Sequence, residues 1–411
     1  MMVETFQDKL EKYARVLVEK GLNVQPGETV AVNIPVFNYE LARLITRFSY
    51  ERGAAEVIVD YSDSHRQREN FLHAKEERIV NVPEHAIKKM EYLLEKKASR
   101  LSIVGGDPDA LNGVDHDRLS RAMKANGIAM KPMRMATQAN EVAWTVAAAA
   151  TPEWAAKVFP DLDEQAGVEK LWEQIFKTVR IDTPDPIEAW NLHEAQLVAK
   201  ATWLNDEQFD ALRYEAPGTD FIVGLPQNHV WEAAGSTSRQ GTRFIANMPT
   251  EEVFTAPDFR RAEGYVASTK PLSYAGNVIE DMVFEFKDGK VVNVTAKKGE
   301  ETIKRLVEEN KGAECLGEVA LVPDPSPISQ SGIIFFNTLF DENASNHLAL
   351  GSAYASSVEG GVDMTQEELE AAGLNRSDTH VDFMIGSAEM NVYGIRANGE
   401  EVQILRNGDW A

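Results

Sequence analysis

The feature that most constrains this chain is an alternation running through its first half. Short apolar, β-branched runs at Thr29 to Ile34, Ala54 to Tyr61 and Arg100 to Val104 are separated by helix-period stretches at Tyr39 to Arg52 and Glu84 to Lys97. Such alternation implies a parallel sheet covered by helices. An amphipathic helix precedes it: Phe6, Leu10, Tyr13, Val16 and Leu17 recur near a 3.6-residue period, and Gly21 follows as a natural stop. From Pro152 to Asn205 the pattern is helical, with Trp154, Trp172, Trp190 and Trp203 as bulky packing residues and Pro184 and Pro186 breaking the run. Beyond about Phe209 the texture changes to short alternating strands with Gly turns, as in DFIVGLP, MVFEFKDGKVVNVTA and HVDFMIG. A chain of 411 residues exceeds the size at which one core usually keeps growing. The expected architecture is therefore an α/β N-terminal domain with a helical connector over residues 1–208, and a β-rich α+β domain over residues 209–411.

Composition excludes several roles. Forty-two Lys plus Arg against sixty-five Asp plus Glu give a formal charge of -23, a field that repels nucleic acid backbones and anionic membrane surfaces. Cys315 is the single cysteine, so no intrachain disulfide and no thiolate zinc finger can form. The first residues, MMVETFQDKLEKYARVL, carry charges throughout and lack the apolar stretch of a signal peptide or membrane helix, and a cytoplasmic protein is expected. Gly105-Gly106 after the third apolar run invites a nucleotide site. The segment VGGDPDALNG, however, lacks the spaced glycines of a dinucleotide fingerprint, and Pro108 disturbs the helix start that would receive a phosphate.

Chemistry concentrates in the C-terminal half. His380 and Asp382 in THVDFMIG stand two apart on a strand-like run, so both point to one face and can share a metal ion or form an ordinary hydrogen-bonded pair. Glu318 lies inside the apolar run CLGEVALV, where an unpaired carboxylate is costly; either a Lys or Arg or a cation must neutralise it. Glu342 and His347 in LFDENASNHLALGSAY bring one carboxylate and one imidazole within five residues, which suits ligation as well as a solvated Glu beside a packed His. Glu251 and Glu252 form an acidic pair in NMPTEEVFTAPD. Mixed carboxylate and imidazole donors without a thiolate suit Zn, Co, Mn or Mg.

The blocks NMPTEEVFTAPD, RAEGYVASTKPLSYAGNVIEDMVFEFKDGKVV, NHLALGSAY and NRSDTHVDFMIGS, in that order, resemble the signatures of the thermophilic-type metalloaminopeptidases, the family of aminopeptidase T, aminopeptidase S and PepS. The similarity runs the full chain and is strongest from about Ile245 to Gly386. It implies two divalent metal ions held by Glu252, Glu318, Glu342, His347, His380 and Asp382, with Tyr354 of NHLALGSAY as a catalytic tyrosine. The implied activity is hydrolysis of N-terminal residues from short peptides with a free N-terminus, by a two-metal-activated water, in a homodimer whose N-terminal domain helps wall the cleft. In this picture Glu318 bridges the ions and takes part in catalysis, Tyr354 donates a hydrogen bond to the oxyanion, and a surplus carboxylate such as Glu251 receives the substrate ammonium. Two rivals remain at this point: a metallohydrolase of another amide, and a non-catalytic, metal-stabilised peptide-binding protein.

Overall fold

A computed structural model of the protein describes residues 4–274 and 277–411. The chain divides into two compact units, Met1–Leu192 with Gly235–Pro249, and His193–Ala234 with Thr250–Ala411. Among the described residues no helix is long and apolar enough to cross a membrane.

The first unit is built on a five-stranded sheet in the order Glu56–Ser62, Thr29–Pro35, Ser99–Val104, Trp144–Ala148, Asn247–Met248, with every pairing parallel. Thr29–Pro35 is buried at every position except Asn33, as a strand covered on both faces must be. The expected first helix forms over Phe6–Val16. Thr5 and Asp8 close a capping box at its start, and a π-helical turn, Leu17–Gly21, ends it. Its Tyr13 hydroxyl donates to the carbonyl of Ala148 on the sheet at 2.7 Å, and the Tyr13 ring packs edge-on against Trp172 and Phe176 of the helix Glu164–Thr178. Trp154 and Trp190 are fully buried, in the packing role read from the sequence.

The second unit is antiparallel. Its eight-stranded sheet runs Lys290–Thr295, Val283–Lys287, Ala262–Ala267, Thr219–Gly224, Ala211–Ala216, Asn391–Ile395, Glu401–Arg406, Asp409–Trp410. Val283–Lys287 alternates exposed and buried residue by residue, the mark of a sheet with one wet face. A second sheet, in the order Val253–Thr255, Leu316–Leu321, His347–Gly351, His380–Met384, has its two central strands buried throughout. On one face of it Val319, Leu348 and Phe383 line up across three strands, and the Phe383 ring lies 4.5 Å from Phe284 of the eight-stranded sheet. That apolar row anchors the small sheet to the core and leaves its other face for polar side chains.

Candidate metal centre

Strand alternation turns the residues flanking that apolar row to the opposite face. Glu318, Ala349 and Asp382 form one cross-strand row, Ala320, His347 and Met384 the next, and His380 stands opposite Gly351. The register slips between Leu316 and Glu318, and the bulge re-aims the Glu318 side chain. Gly317 makes this possible: a Cβ there would meet the Gly351 and Ser352 carbonyl oxygens at 2.4 and 2.5 Å. Ala349, between the two carboxylates, has the smallest side chain that keeps strand geometry and leaves the space above it open to them.

Glu318 offers a different oxygen to each histidine. Its Oε1 lies 3.5 Å from His347 Nε2 and its Oε2 lies 3.5 Å from His380 Nε2. Glu252 Oε2 is 3.2 Å from His347 Nε2, and Asp382 Oδ1 is 3.3 Å from His380 Nε2. Two three-donor groups result, Glu252 with Glu318 and His347, and Glu318 with His380 and Asp382, the donor atoms of each lying within 4.8 Å of one another. The imidazole tautomers are fixed from behind. His347 Nδ1 donates to the Ser345 carbonyl at 3.1 Å and His380 Nδ1 to the Ser352 carbonyl at 2.8 Å, so both rings turn Nε2, the atom available to a metal, toward the carboxylates. Asp382 Oδ1 is buried and, among the described residues, its one polar neighbour within ion-pair reach is His380 Nε2 at 3.3 Å, a contact too poorly aligned to count as a full hydrogen bond. Side by side on one face of the strand, the two groups can turn the same atoms toward a shared cation.

Charge gives the same account. Burial opposes ionisation of His347, yet Glu252 and Glu318 outweigh it and hold the imidazole well above its ordinary value. Burial likewise opposes charging of His380, and Asp382 with Glu318 pushes it up to about 10. Glu318 is pushed up by burial, and Glu342 further still by burial and by Asp382 and Glu252. Asp382 goes down: the imidazoles of His380 and His347 outweigh its burial. Burial and mutual repulsion thus raise Glu318 and Glu342, and the same carboxylates raise His347 and His380, an excess of negative charge that a bound cation would relieve.

Five of the six expected ligands thus meet in the two groups. Glu342 is outside both, but its carboxyl lies in the field of Asp382, Glu252, His347 and Glu318. It follows the short helix Thr338–Asp341, which Asn337 caps and which Asp341 braces by accepting from the Phe335 and Asn337 amides at 2.8 and 3.0 Å. Glu252 faces His347, whereas Glu251, also buried, lies 3.5 Å from His193 Nε2. Tyr354 is 40% exposed, with its ring 5.5 Å from His380 and 6.0 Å from Phe254. Burial of its hydroxyl and the nearby Glu318 and Asp382 raise its pKa, so it stays protonated. Sequence reasoning missed the carbonyls of Ser345 and Ser352, because backbone acceptors have no side-chain signature. His193, which lies outside the motif blocks and reads from the sequence as a surface or core residue, is buried and stands in neither donor group.

The chain matches the family described as thermophilic metalloprotease (M29) over residues 6–410. It belongs to that family. It is 62% identical to aminopeptidase PepS of Streptococcus thermophilus over 412 residues, covering the whole of both chains, and 47% identical to aminopeptidase AmpS of Bacillus subtilis, again over the whole of both. The solved structure of wild-type AmpT from Thermus thermophilus superposes with a TM-score of 0.93 at 39% identity, covering 99% of this chain and 100% of that one. Membership makes the chain a metallopeptidase and agrees with the donor chemistry of the cluster.

Proposed function

We propose that this protein is an aminopeptidase that removes N-terminal residues from short peptides, with Glu252, Glu318, Glu342, His347, His380 and Asp382 holding two divalent cations of the Zn, Co, Mn or Mg kind. The observation that carries the reading is the division of Glu318 between two histidines, one oxygen to each, in the manner of a bridging carboxylate. The aminopeptidase names of the relatives support the substrate class. Bound cations would supply Lewis acidity to a water and to the scissile carbonyl. The chain's own groups do the rest. The Ser345 and Ser352 carbonyls keep both imidazoles in the ligating tautomer. Tyr354, held protonated, donates a hydrogen bond to the oxygen of the tetrahedral intermediate. The same reading has the protein at work in the cytoplasm as a homodimer, and a chain with one cysteine suits a reducing compartment.

The test is release of free amino acids from a panel of short peptides by chelator-treated protein, before and after resupply of zinc, cobalt, manganese or magnesium. Stepwise N-terminal release that vanishes with chelator and returns with metal is expected. Folded, metal-loaded protein that cleaves none of them overturns the proposal. Tyr354→Phe is expected to lower kcat by roughly 10²–10³, the scale of a lost oxyanion donor, with metal content unchanged; an unaltered rate assigns Tyr354 to packing.

A further inference from the structure

Outside the ligand set, a half-buried carboxylate of the second unit, Glu232, has no role in the proposed chemistry. Glu232 accepts a hydrogen bond from the Ser356 hydroxyl, and among the described residues it has no ion-pair partner. Its burial pushes the carboxyl up from its ordinary value. Drawing an acid partly out of water for one neutral hydroxyl is a poor way to gain stability, since apolar side chains of similar volume do as well or better. A hydroxyl-to-carboxylate hydrogen bond does, however, fix the direction of the group that donates it. Its partner is significant: Ser356 stands two residues beyond Tyr354, in the turn where the Ser357 amide donates to the Tyr354 carbonyl at 3.1 Å.

The strap 228–232 that carries Glu232 runs between that turn and the edge of the metal-ligand sheet. Glu232 exchanges backbone hydrogen bonds with Phe254 at 2.9 and 3.0 Å, two residues past Glu252. The Thr255 hydroxyl donates to the Val230 carbonyl at 2.9 Å. On the other side the Val230 amide donates to the Ser357 carbonyl at 2.7 Å, and the Glu359 amide to the Asn228 carbonyl at 3.0 Å. Tyr354 itself is partly exposed, and its ring touches Phe254 and His380 rather than a closed core. Its position is therefore set by the backbone of its turn more than by packing.

We propose that Glu232 is a positioning residue: by taking the Ser356 hydroxyl hydrogen bond, it fixes the turn 354–357 to the strap and so holds the Tyr354 ring beside that of His380. The kinetic consequences rest on the aminopeptidase reading; the positional one does not.

The test uses full-length protein labelled with 3-fluorotyrosine, with the Tyr354 fluorine resonance assigned by its loss in Tyr354→Phe. Glu232→Ala and the milder Ser356→Ala are expected to shift or broaden that resonance, and Glu232→Gln, which keeps an acceptor, to restore it. In metal-loaded enzyme the two alanine variants are expected to lower kcat about tenfold, a part of the roughly 10²–10³ that an oxyanion donor supplies, with KM and metal content unchanged. Neither is expected to lower kcat further in a Tyr354→Phe background. A Tyr354 resonance indifferent to both alanine variants overturns the proposal, as does an undiminished tenfold loss when Tyr354 is already Phe. A wild-type enzyme without peptidase activity rejects the aminopeptidase reading instead, and the fluorine spectrum still decides whether Glu232 positions Tyr354.

Discussion

Without a cation, the His380 imidazole is pushed up to about 10 by Asp382 and Glu318 against the opposition of its own burial, so at neutral pH it carries a proton on the nitrogen a metal needs. Metal uptake at His380 must release that proton, and His347 is shifted in the same direction by Glu252 and Glu318. Apparent affinity for zinc or cobalt is therefore expected to climb with pH through the neutral range. Titration calorimetry in buffers of different ionisation enthalpy measures the released protons; identical heats in both buffers would remove His380 and His347 from the ligand set. The same shift fixes a sign for stability. A folded-state value of about 10 against 6.5 for the free side chain means that the contribution of His380 to the metal-free protein is complete below pH 6.5 and lost as pH rises through 10. Chelator-stripped protein is expected to lose Tm between pH 7 and 10, and His380→Gln to flatten that slope. At this scale the sequence was unevenly legible. His380 and Asp382 could be read as one pair because strand spacing alone puts them on one face. Glu251 and Glu252 could not be separated, because which of two adjacent residues faces inward depends on where the Val253–Thr255 strand begins.

A strand contributes to two chemistries at once, and the small sheet shows how strictly its faces divide. The row Glu318, Ala349, Asp382 lies next to the row Val319, Leu348, Phe383 and points the other way. Ala349→Val adds two methyl groups between the carboxylates; it is expected to cost about 1–3 kcal/mol by overpacking and to abolish metal uptake in a protein that still folds. Val319→Ala, one residue from Glu318 on the opposite face, is expected to cost about 2 kcal/mol through lost burial and a small cavity while keeping full metal stoichiometry. Urea unfolding and metal analysis of the two variants check the pair, and loss of metal from both would mean that the faces are not independent. Local pattern announced many of the elements. The run of β-branched residues announced Thr29–Pro35, and Asp288-Gly289 between alternating runs announced the hairpin of Val283–Lys287 with Lys290–Thr295. Trp144–Ala148 went unread because its run is alanine-rich and lacks that signature, and Asn247–Met248 is too short to have a period. Pairings such as Ala211–Ala216 with Asn391–Ile395 join residues some 180 apart, and a single sequence carries no trace of them beyond the resemblance to a family.

For the whole molecule, the consequence of this architecture is that every residue of the proposed metal centre belongs to one compact unit, His193–Ala234 with Thr250–Ala411. A ligand stabilises what it binds by mass action, about 2.7 kcal/mol at a hundredfold excess over Kd. Loss of bound metal would also leave the buried carboxylates of the cluster to repel one another with only the imidazoles as counter-charge. Both effects act on the strands Leu316–Leu321, His347–Gly351 and His380–Met384, and neither acts directly on Thr29–Pro35 or Ser99–Val104, whose sheet is closed by its own apolar core. Chelation is therefore expected to speed amide hydrogen exchange in the first set of strands and leave the second set protected. Mass spectrometry of peptides from the two regions, with and without chelator, measures it. Equal loss of protection in both sheets would show that the units open as one cooperative body, and that metal binding is then paid back in the stability of the entire chain.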